Sequence, residues 1–533
     1  MKKATVLCLM IALQLLTLTP SAAHDDVRWW NDRVFYEIFV RSFYDSDGDG
    51  IGDLQGIIQK LDYLNDGDPT TTTDLGVTGL WLMPIAESPS YHGYDVTDYL
   101  MVEPDYGTDD DFKALMAAAH ERGIAVIVDL VVNHSSREHP WFQASAAGNP
   151  HYADWYIWDD DCPTYRGPWG EQVWIPLNDS CYYAIFWEGM PDLNYTNPAV
   201  TSAIENVAHY WLQDMGVDGF RVDALQHIVE NGQNQANTDA THEWANAFQS
   251  YIKSVDAGAL TVGEVNASSY LAAPYVPEAA DLVFAFDLAD AMVQSANVGK
   301  SAAVMSLQNR AVDLYPPNQY AAFLTNHDQN RVMNTLRGSV DKAKVAATLV
   351  LTQPGVPFIY YGEEIGMSGI KPDERIRTPM QWDSTERTAG FTSGHPWQVL
   401  QNDIDTVNVN VAAQLDDPES LLSRYRDLIH LRAAHPALAH GDFVPVASNV
   451  SEVYSFLRRS DGETLLVVIN LSGDVVTDYA LSLDAGLPGA VVSSVYGAAD
   501  PVQPVLSADG GFADYAPVPE LAPYSLMVFA LAE

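Results

Sequence analysis

Three acidic residues each close a short apolar run. Asp223 ends Gly-Phe-Arg-Val-Asp, Glu264 ends Leu-Thr-Val-Gly-Glu and Asp328 ends Phe-Leu-Thr-Asn-His-Asp. Taken singly, an acid just past a strand is commonly a helix N-cap. Three acids in equivalent places invite a chemical reading. Cleaving the acetal bond between two sugars needs two carboxyl groups of opposite duty. One protonates the leaving oxygen while the other attacks, or guides water to, the anomeric carbon. Arg221 stands two residues before Asp223, on the same strand face, where its charge would hold Asp223 ionised. A structural salt bridge is the plainer reading of Arg221, and both can hold together. Glu264 has the opposite need, a desolvated site or a neighbouring carboxylate that keeps it protonated at working pH.

These residues need a frame that brings strand ends together. Runs rich in β-branched and aromatic residues recur at Val34 to Phe39, Gly79 to Met83, Ala125 to Val132, Gly219 to Val222, Leu260 to Gly263, Leu282 to Phe286, Tyr320 to Thr325 and Pro357 to Tyr361. Segments of helical pattern separate them, which implies repeated βα units. Eight such units close a (β/α)8 barrel, whose catalytic groups stand at the C-terminal strand ends. The expected α/β fold places this barrel in residues 24–132 and 196–440. Residues 133–195, rich in Trp, Tyr, Pro, Asp and Gly, form a connection too long to be plain, an inserted subdomain after the third strand. From 441 to 533 the pattern turns to alternating strands such as Val453 to Leu457, which predicts a C-terminal antiparallel β-sandwich.

The chain has 533 residues and a formal net charge of −44. A polyanion repels nucleic acid and anionic membrane, so neither is an expected partner and a neutral substrate is. Lys2 and Lys3 precede an apolar run from Ala4 to Leu18 that ends in Ser21-Ala22-Ala23. Residues 1–23 therefore read as a signal peptide, and the mature protein as secreted, extracellular or periplasmic. A membrane anchor is the other reading, but the run is short and His24-Asp25-Asp26 follows it. Cys8 leaves with that peptide; Cys162 and Cys181 remain and favour a local disulfide in an oxidising compartment. The chain is expected to act as a monomer.

Four segments occur in a telling order: Asp129-Leu-Val-Val-Asn133-His134, Gly219-Phe-Arg221-Val-Asp223, Gly263-Glu264-Val265-Asn266 and Phe323-Leu-Thr-Asn326-His327-Asp328. Together they resemble the motifs of glycoside hydrolase family 13, the α-amylase family. The likeness continues through Gly76 to Pro84, Met190 to Asn194 and Gly355 to Met367. It implies that Asp223 forms a covalent glycosyl intermediate and that Glu264 is proton donor and then base. It also implies that Asp328 binds sugar hydroxyls and favours the distorted transition state. His92, His134 and His327 would hydrogen-bond the sugar at the cleavage point, and Tyr94 would stack on its ring. Without the family, each histidine reads as a satisfied structural residue. Many members carry Lys-His three and four residues after the nucleophile, where this chain has Gln226-His227. His227 is assigned to substrate binding, and Gln226 leaves the leaving-group subsites open.

Asp45-Ser-Asp47-Gly-Asp49-Gly-Ile51-Gly-Asp53 alternates carboxylates with small residues. Such a loop offers a hard cation several oxygens and suits Ca2+, although an Asp/Gly turn without metal is the plainer alternative. The twelfth position, Glu in a helix-loop-helix sensor, is Gly56. The loop is similar to that of the oligo-1,6-glucosidase-like branch, which implies Asp45, Asp47, Asp49, Asp53 and the Ile51 carbonyl as ligands of a structural Ca2+.

Branch features are mixed. Arg375 to Trp382, Asn149-Pro150 and Asp154 to Trp158 resemble oligo-1,6-glucosidases, and Met190 to Asn194 lies between that form and the neopullulanase form. Tyr91-His92-Gly93-Tyr94 resembles amylases, and Ala224 resembles enzymes that cut α-1,4 bonds. The expected activity is that of an α-amylase on starch and maltooligosaccharides. An exo-acting α-1,4-glucosidase, an α-glucanotransferase and an inert carbohydrate-binding relative are the alternatives, the last disfavoured because all three acids are present. Zinc and serine hydrolases lack their motifs, His-Glu-x-x-His and Gly-x-Ser-x-Gly.

Overall fold

The computed structural model describes residues 28–532 apart from 401–404, 488, 490, 498 and 499. The expected signal peptide lies outside the described residues. Eight parallel strands run β1 (Phe35–Ile38), β2 (Gly79–Leu82), β3 (Ala125–Leu130), β4 (Gly219–Val222), β5 (Leu260–Gly263), β6 (Leu282–Val283), β7 (Ala321–Ala322) and β8 (Val356–Tyr360). Their order in the sheet is β6-β5-β4-β3-β2-β1-β8-β7. A parallel bridge from Phe284 to Ala321 joins the two ends of that order, with the Ala285 N–H donating to the Ala321 carbonyl at 3.0 Å. The ring is thereby closed into the expected barrel.

The period of two along each strand explains how the site is placed. Phe35, Trp81, Ile127, Leu260, Val262, Phe284 and Phe358 form one buried cluster, whereas Tyr36, Leu80, Leu82, Val126, Val128 and Phe220 belong to a different one. The first set fills the barrel and the second meets the surrounding helices. Phe35 and Phe358 stack with ring centroids 4.7 Å apart. A Cβ on Gly79 would lie 2.5 Å from the Phe35 ring, so no larger residue fits there. Continuing the inward parity toward the C-terminal ends reaches Glu37, Asp129, Arg221, Asp223 and Glu264.

Between β3 and β4 lies a small antiparallel sheet of Trp158–Asp159, Trp174–Leu177 and Ser180–Tyr183. The expected disulfide joins Cys162 to Cys181 beside it. The chain after the barrel forms β9 (Asp442–Ser448), β10 (Val453–Ser460), β11 (Glu463–Asn470), β12 (Leu481–Leu483), β13 (Val491–Tyr496), β14 (Phe512–Tyr515) and β15 (Leu526–Ala532). They pair antiparallel in the order β13-β15-β11-β10-β9-β12-β14. Alternation again divides the faces: Tyr454, Phe456, Val467 and Val528 join the barrel core, and Val453, Leu457, Leu466, Val468 and Phe529 join a second core.

Two buried arginines sit at the seam between the barrel and this sheet, and Arg458 crosses it. Arg432, on the helix Leu421–Ala434, donates to the carbonyls of Leu351, Gln353, Gly355 and Ala439 at 2.7 to 3.1 Å. Arg458 on β10 donates to those of Thr352 and Gly441 at 2.9 and 3.0 Å. Burial lowers both guanidinium pKa values, to about 10 and about 9. Backbone dipoles, in place of a carboxylate, offset the loss of water.

Candidate active site

The C-terminal ends of the strands open onto a cleft of about 470 Å3 lined by Asp223, Glu264 and Asp328 together with His92, Tyr94, His134 and His227. Arg221 lies beneath it, fully buried, and is the hub of the charge array. Its Nη1 donates to Asp129 Oδ1 at 2.8 Å and to Asp223 Oδ1 at 2.6 Å. Its Nη2 lies 2.7 Å from Glu264 Oε2, a close ion contact that is not aligned as a hydrogen bond. Glu264 Oε2 also accepts the Ala224 N–H at 3.0 Å. That amide points at Glu264 because Ala224 takes a left-handed conformation, φ 49° and ψ 31°. A β-branched side chain would be strained there.

Burial raises Asp223 to about 7, opposed by the charge of Arg221 and reinforced by Asp129. Burial likewise lifts Glu264 to about 7, with Arg221 pulling it back and the charges of Asp223 and Asp328 adding to the lift. Asp223 takes the aligned hydrogen bond from Arg221, which favours its ionised form. Once Asp223 is charged, Glu264 retains its proton more strongly. Two neighbouring carboxyls are thus driven toward opposite protonation states.

On the other wall, Arg377 Nη2 lies 2.8 Å from Asp328 Oδ1 and 3.1 Å from Asp373 Oδ2, and its Nε donates to the His327 carbonyl at 3.0 Å. Desolvation works upward on Asp328, but the charges of Arg377 and Arg221 outweigh it and hold the carboxyl well below its usual range. Its side chain remains 45% exposed, open to the cleft. His327 bridges Glu37 Oε1 at 2.5 Å and the Tyr94 hydroxyl at 2.6 Å. Tyr94 also donates to Asp129 Oδ2 at 3.0 Å. Burial lowers His327 and His134 to about 3, so both rings are neutral.

His92 Nδ1 accepts the Tyr94 N–H at 3.1 Å, which leaves Nε2 as the proton-bearing nitrogen. His134 Nε2 lies 3.2 Å from the Tyr94 carbonyl. His227 Nδ1 lies 2.7 Å from the Gln235 carbonyl and its Nε2 3.0 Å from Gln226 Nε2, so both ring nitrogens are engaged within the protein. The structure therefore brings all nine sequence-assigned residues of the catalytic and sugar-binding sets to one cleft or directly beneath it. Glu37, Arg377 and the aromatic pair Trp169 and Phe186 were not foreseen. Glu37 had a signal, an acid of inward parity in the first apolar run; the other three sit on loops without periodicity.

The acidic loop lies apart. One carboxylate oxygen each from Asp45, Asp47 and Asp49 lies within 4.8 Å of the others. Three anionic oxygens so close suit a hard cation, and desolvation raises Asp49, with Asp47 and Asp45 adding to it. Asp53 Oδ1 accepts the Gly56 N–H at 2.7 Å as a helix N-cap and its Oδ2 accepts the Ser46 N–H at 2.8 Å, just as both oxygens of Asp45 accept backbone N–H groups of the loop. Ile51 donates its N–H to Asp49 Oδ1 at 2.8 Å. Asp45, Asp47 and Asp49 would hold Ca2+, and Asp53 and the Ile51 carbonyl complete the ligand set that the resemblance implies.

Residues 37–441 match the α-amylase catalytic domain family. α-Amylase 3 of Dictyoglomus thermophilum is 39% identical over 83% of this chain and 85% of its own length. Oligo-1,6-glucosidase of Halalkalibacterium halodurans is 32% identical over 85% of this chain and 92% of its own. The crystal structure of the α-amylase from H. orenii superimposes with a TM-score of 0.82 at 40% identity, covering 94% of this chain and 99% of that one.

Proposed function

The chain belongs to the α-amylase family of glycoside hydrolases, and from that premise we propose a secreted, retaining enzyme that cleaves α-1,4 bonds of starch and maltooligosaccharides. The observation that carries the reading is the shared anchoring of Asp223 and Glu264 on Arg221 at one cleft. In the first step Asp223 attacks the anomeric carbon as Glu264 gives its proton to the glycosidic oxygen. The C–O bond breaks, the reducing-end fragment leaves as an alcohol, and a glycosyl ester of Asp223 forms. In the second step Glu264, now ionised, takes a proton from water, whose oxygen displaces Asp223 and restores the starting anomer. Asp328, open to the cleft and held ionised, accepts hydroxyls of the sugar ring. His92 and Tyr94 flank that ring, with His327 bonded to the Tyr94 hydroxyl from beneath.

The α-1,4 preference is supported by Ala224, a small residue lining the cleft beside Asp223, and by the likeness to two α-amylases. The likeness to an oligo-1,6-glucosidase favours a second reading, an exo-acting α-glucosidase. Secretion is supported by the leader-like residues 1–23 and by the Cys162–Cys181 disulfide. A structural Ca2+ is supported by the oxygen cluster of Asp45, Asp47 and Asp49. A time course on soluble starch and maltotriose, with products separated by size, tests the choice. Mid-length products early in the starch digest are expected; glucose alone from the start would favour the exo-acting reading.

A further inference from the structure

We propose that Trp169 is the stacking platform for the sugar on the leaving-group side of the cleft, and that it governs how chains extending past the scissile bond are bound. The inference rests on the glucan-hydrolase reading above. Trp169 lines the cleft yet is 62% exposed. An indole left so open in water is a large apolar surface awaiting a partner.

The ring is held in place. It sits at the tip of a tight hairpin, in which Arg166 bridges Gln172, the Gly167 N–H donates to the Glu171 carbonyl and the Gly170 N–H to the Gly167 carbonyl, both at 3.0 Å. The disulfide ties the chain just before this hairpin to the strand Ser180–Tyr183. The Trp169 ring stacks against Phe186 at 5.5 Å and 29°, and lies 5.9 Å from the His227 ring. Phe186 is wedged in turn against His227 and His134. The indole is therefore backed by aromatic rings and still largely open to the cleft, without a costly ordering step on binding.

Position decides which sugar it meets. Trp169 contacts His227, on the turn that begins with Ala224, whose N–H holds Glu264. Glu264 protonates the leaving oxygen, so the wall continuing from it receives the departing chain. Asp328, Arg377 and Asp373 occupy the other wall. His227 has no free ring nitrogen for a sugar hydroxyl. Contact with the C–H face of a glucose ring is thus what the indole offers on that side, next to Phe186 and Met190.

The test compares the wild type, Trp169→Ala and Trp169→Phe on maltohexaose and on α-maltotriosyl fluoride. The fluoride places sugars only on the glycone side and needs no leaving-side platform. Trp169→Ala is expected to lose about tenfold in kcat/KM on maltohexaose while keeping its rate on the fluoride, and Trp169→Phe to keep both within about threefold. Equal loss by Trp169→Ala on both substrates, or loss on neither, would overturn the proposal. A wild type inactive on both substrates would instead strike at the glucan-hydrolase reading itself.

Discussion

Asp223 and Glu264 occupy the two arms of one guanidinium, with Arg221 Nη1 2.6 Å from the first and Nη2 2.7 Å from the second. The same buried cation thereby fixes the spacing of both carboxyls and sets the charge each can bear. It also explains why Arg221 lies at the inward position two residues before the nucleophile.

Asp223→Asn removes the attacking oxygen but keeps the shape of the side chain. Hydrolysis of maltooligosaccharides should fall by at least roughly a thousandfold, while circular dichroism and the melting curve stay near those of the wild type. Near-normal turnover in that variant would remove Asp223 from the mechanism.

The pH profile follows from the opposed needs of the pair. Activity requires the Glu264 proton, so kcat/KM should fall as pH rises through about 7, where burial has placed that group. It should also fall toward acid as Asp223 takes up a proton. The two limbs belong to the coupled pair and not to either residue alone. Fluoride needs no protonation to leave, so Glu264→Gln assayed on a glycosyl fluoride should lose the alkaline limb of the glycosylation step. Persistence of that limb would place the titration on another group.

The elements that carry these acids are visible in the amino-acid pattern because barrel strands alternate between two apolar environments and end in polar residues. That alternation locates Asp223 and Glu264, and in hindsight Glu37 and Asp129, at inward positions. Arg377 and Trp169 follow no such rule: a loop after β8 and a hairpin tip place them, and loop conformation leaves no periodic trace. Asp53 shows a different limit. An acid in an Asp/Gly loop can serve a metal and a helix N-cap at once, and the pattern of residues alone does not separate the two roles.

Chelation should lower the melting temperature by roughly 5 °C and added Ca2+ should restore it. The double variant Asp47→Asn with Asp49→Asn should melt at the chelated temperature whether or not Ca2+ is added, with its activity at low temperature retained. A melting curve indifferent to verified metal removal would make the loop a plain turn.

Arg458→Met keeps the bulk of the side chain but strips the Thr352 and Gly441 carbonyls of their donors. Urea denaturation should show a loss of about 2 to 4 kcal/mol, without change in KM, since the residue lies far from the cleft in the seam between barrel and C-terminal sheet. An unchanged midpoint would mean that water replaces the guanidinium there at little cost.

The covalent step can be tested most directly by mass spectrometry of Glu264→Gln enzyme quenched during reaction with α-maltotriosyl fluoride and then digested. Fluoride leaves without the acid, and the missing base slows release of the ester. A maltotriosyl adduct on the peptide that contains Asp223 is the expected result. An adduct on a different residue, or an unmodified Asp223 peptide from a variant that accumulates no ester while still releasing fluoride in a rapid burst, would contradict it.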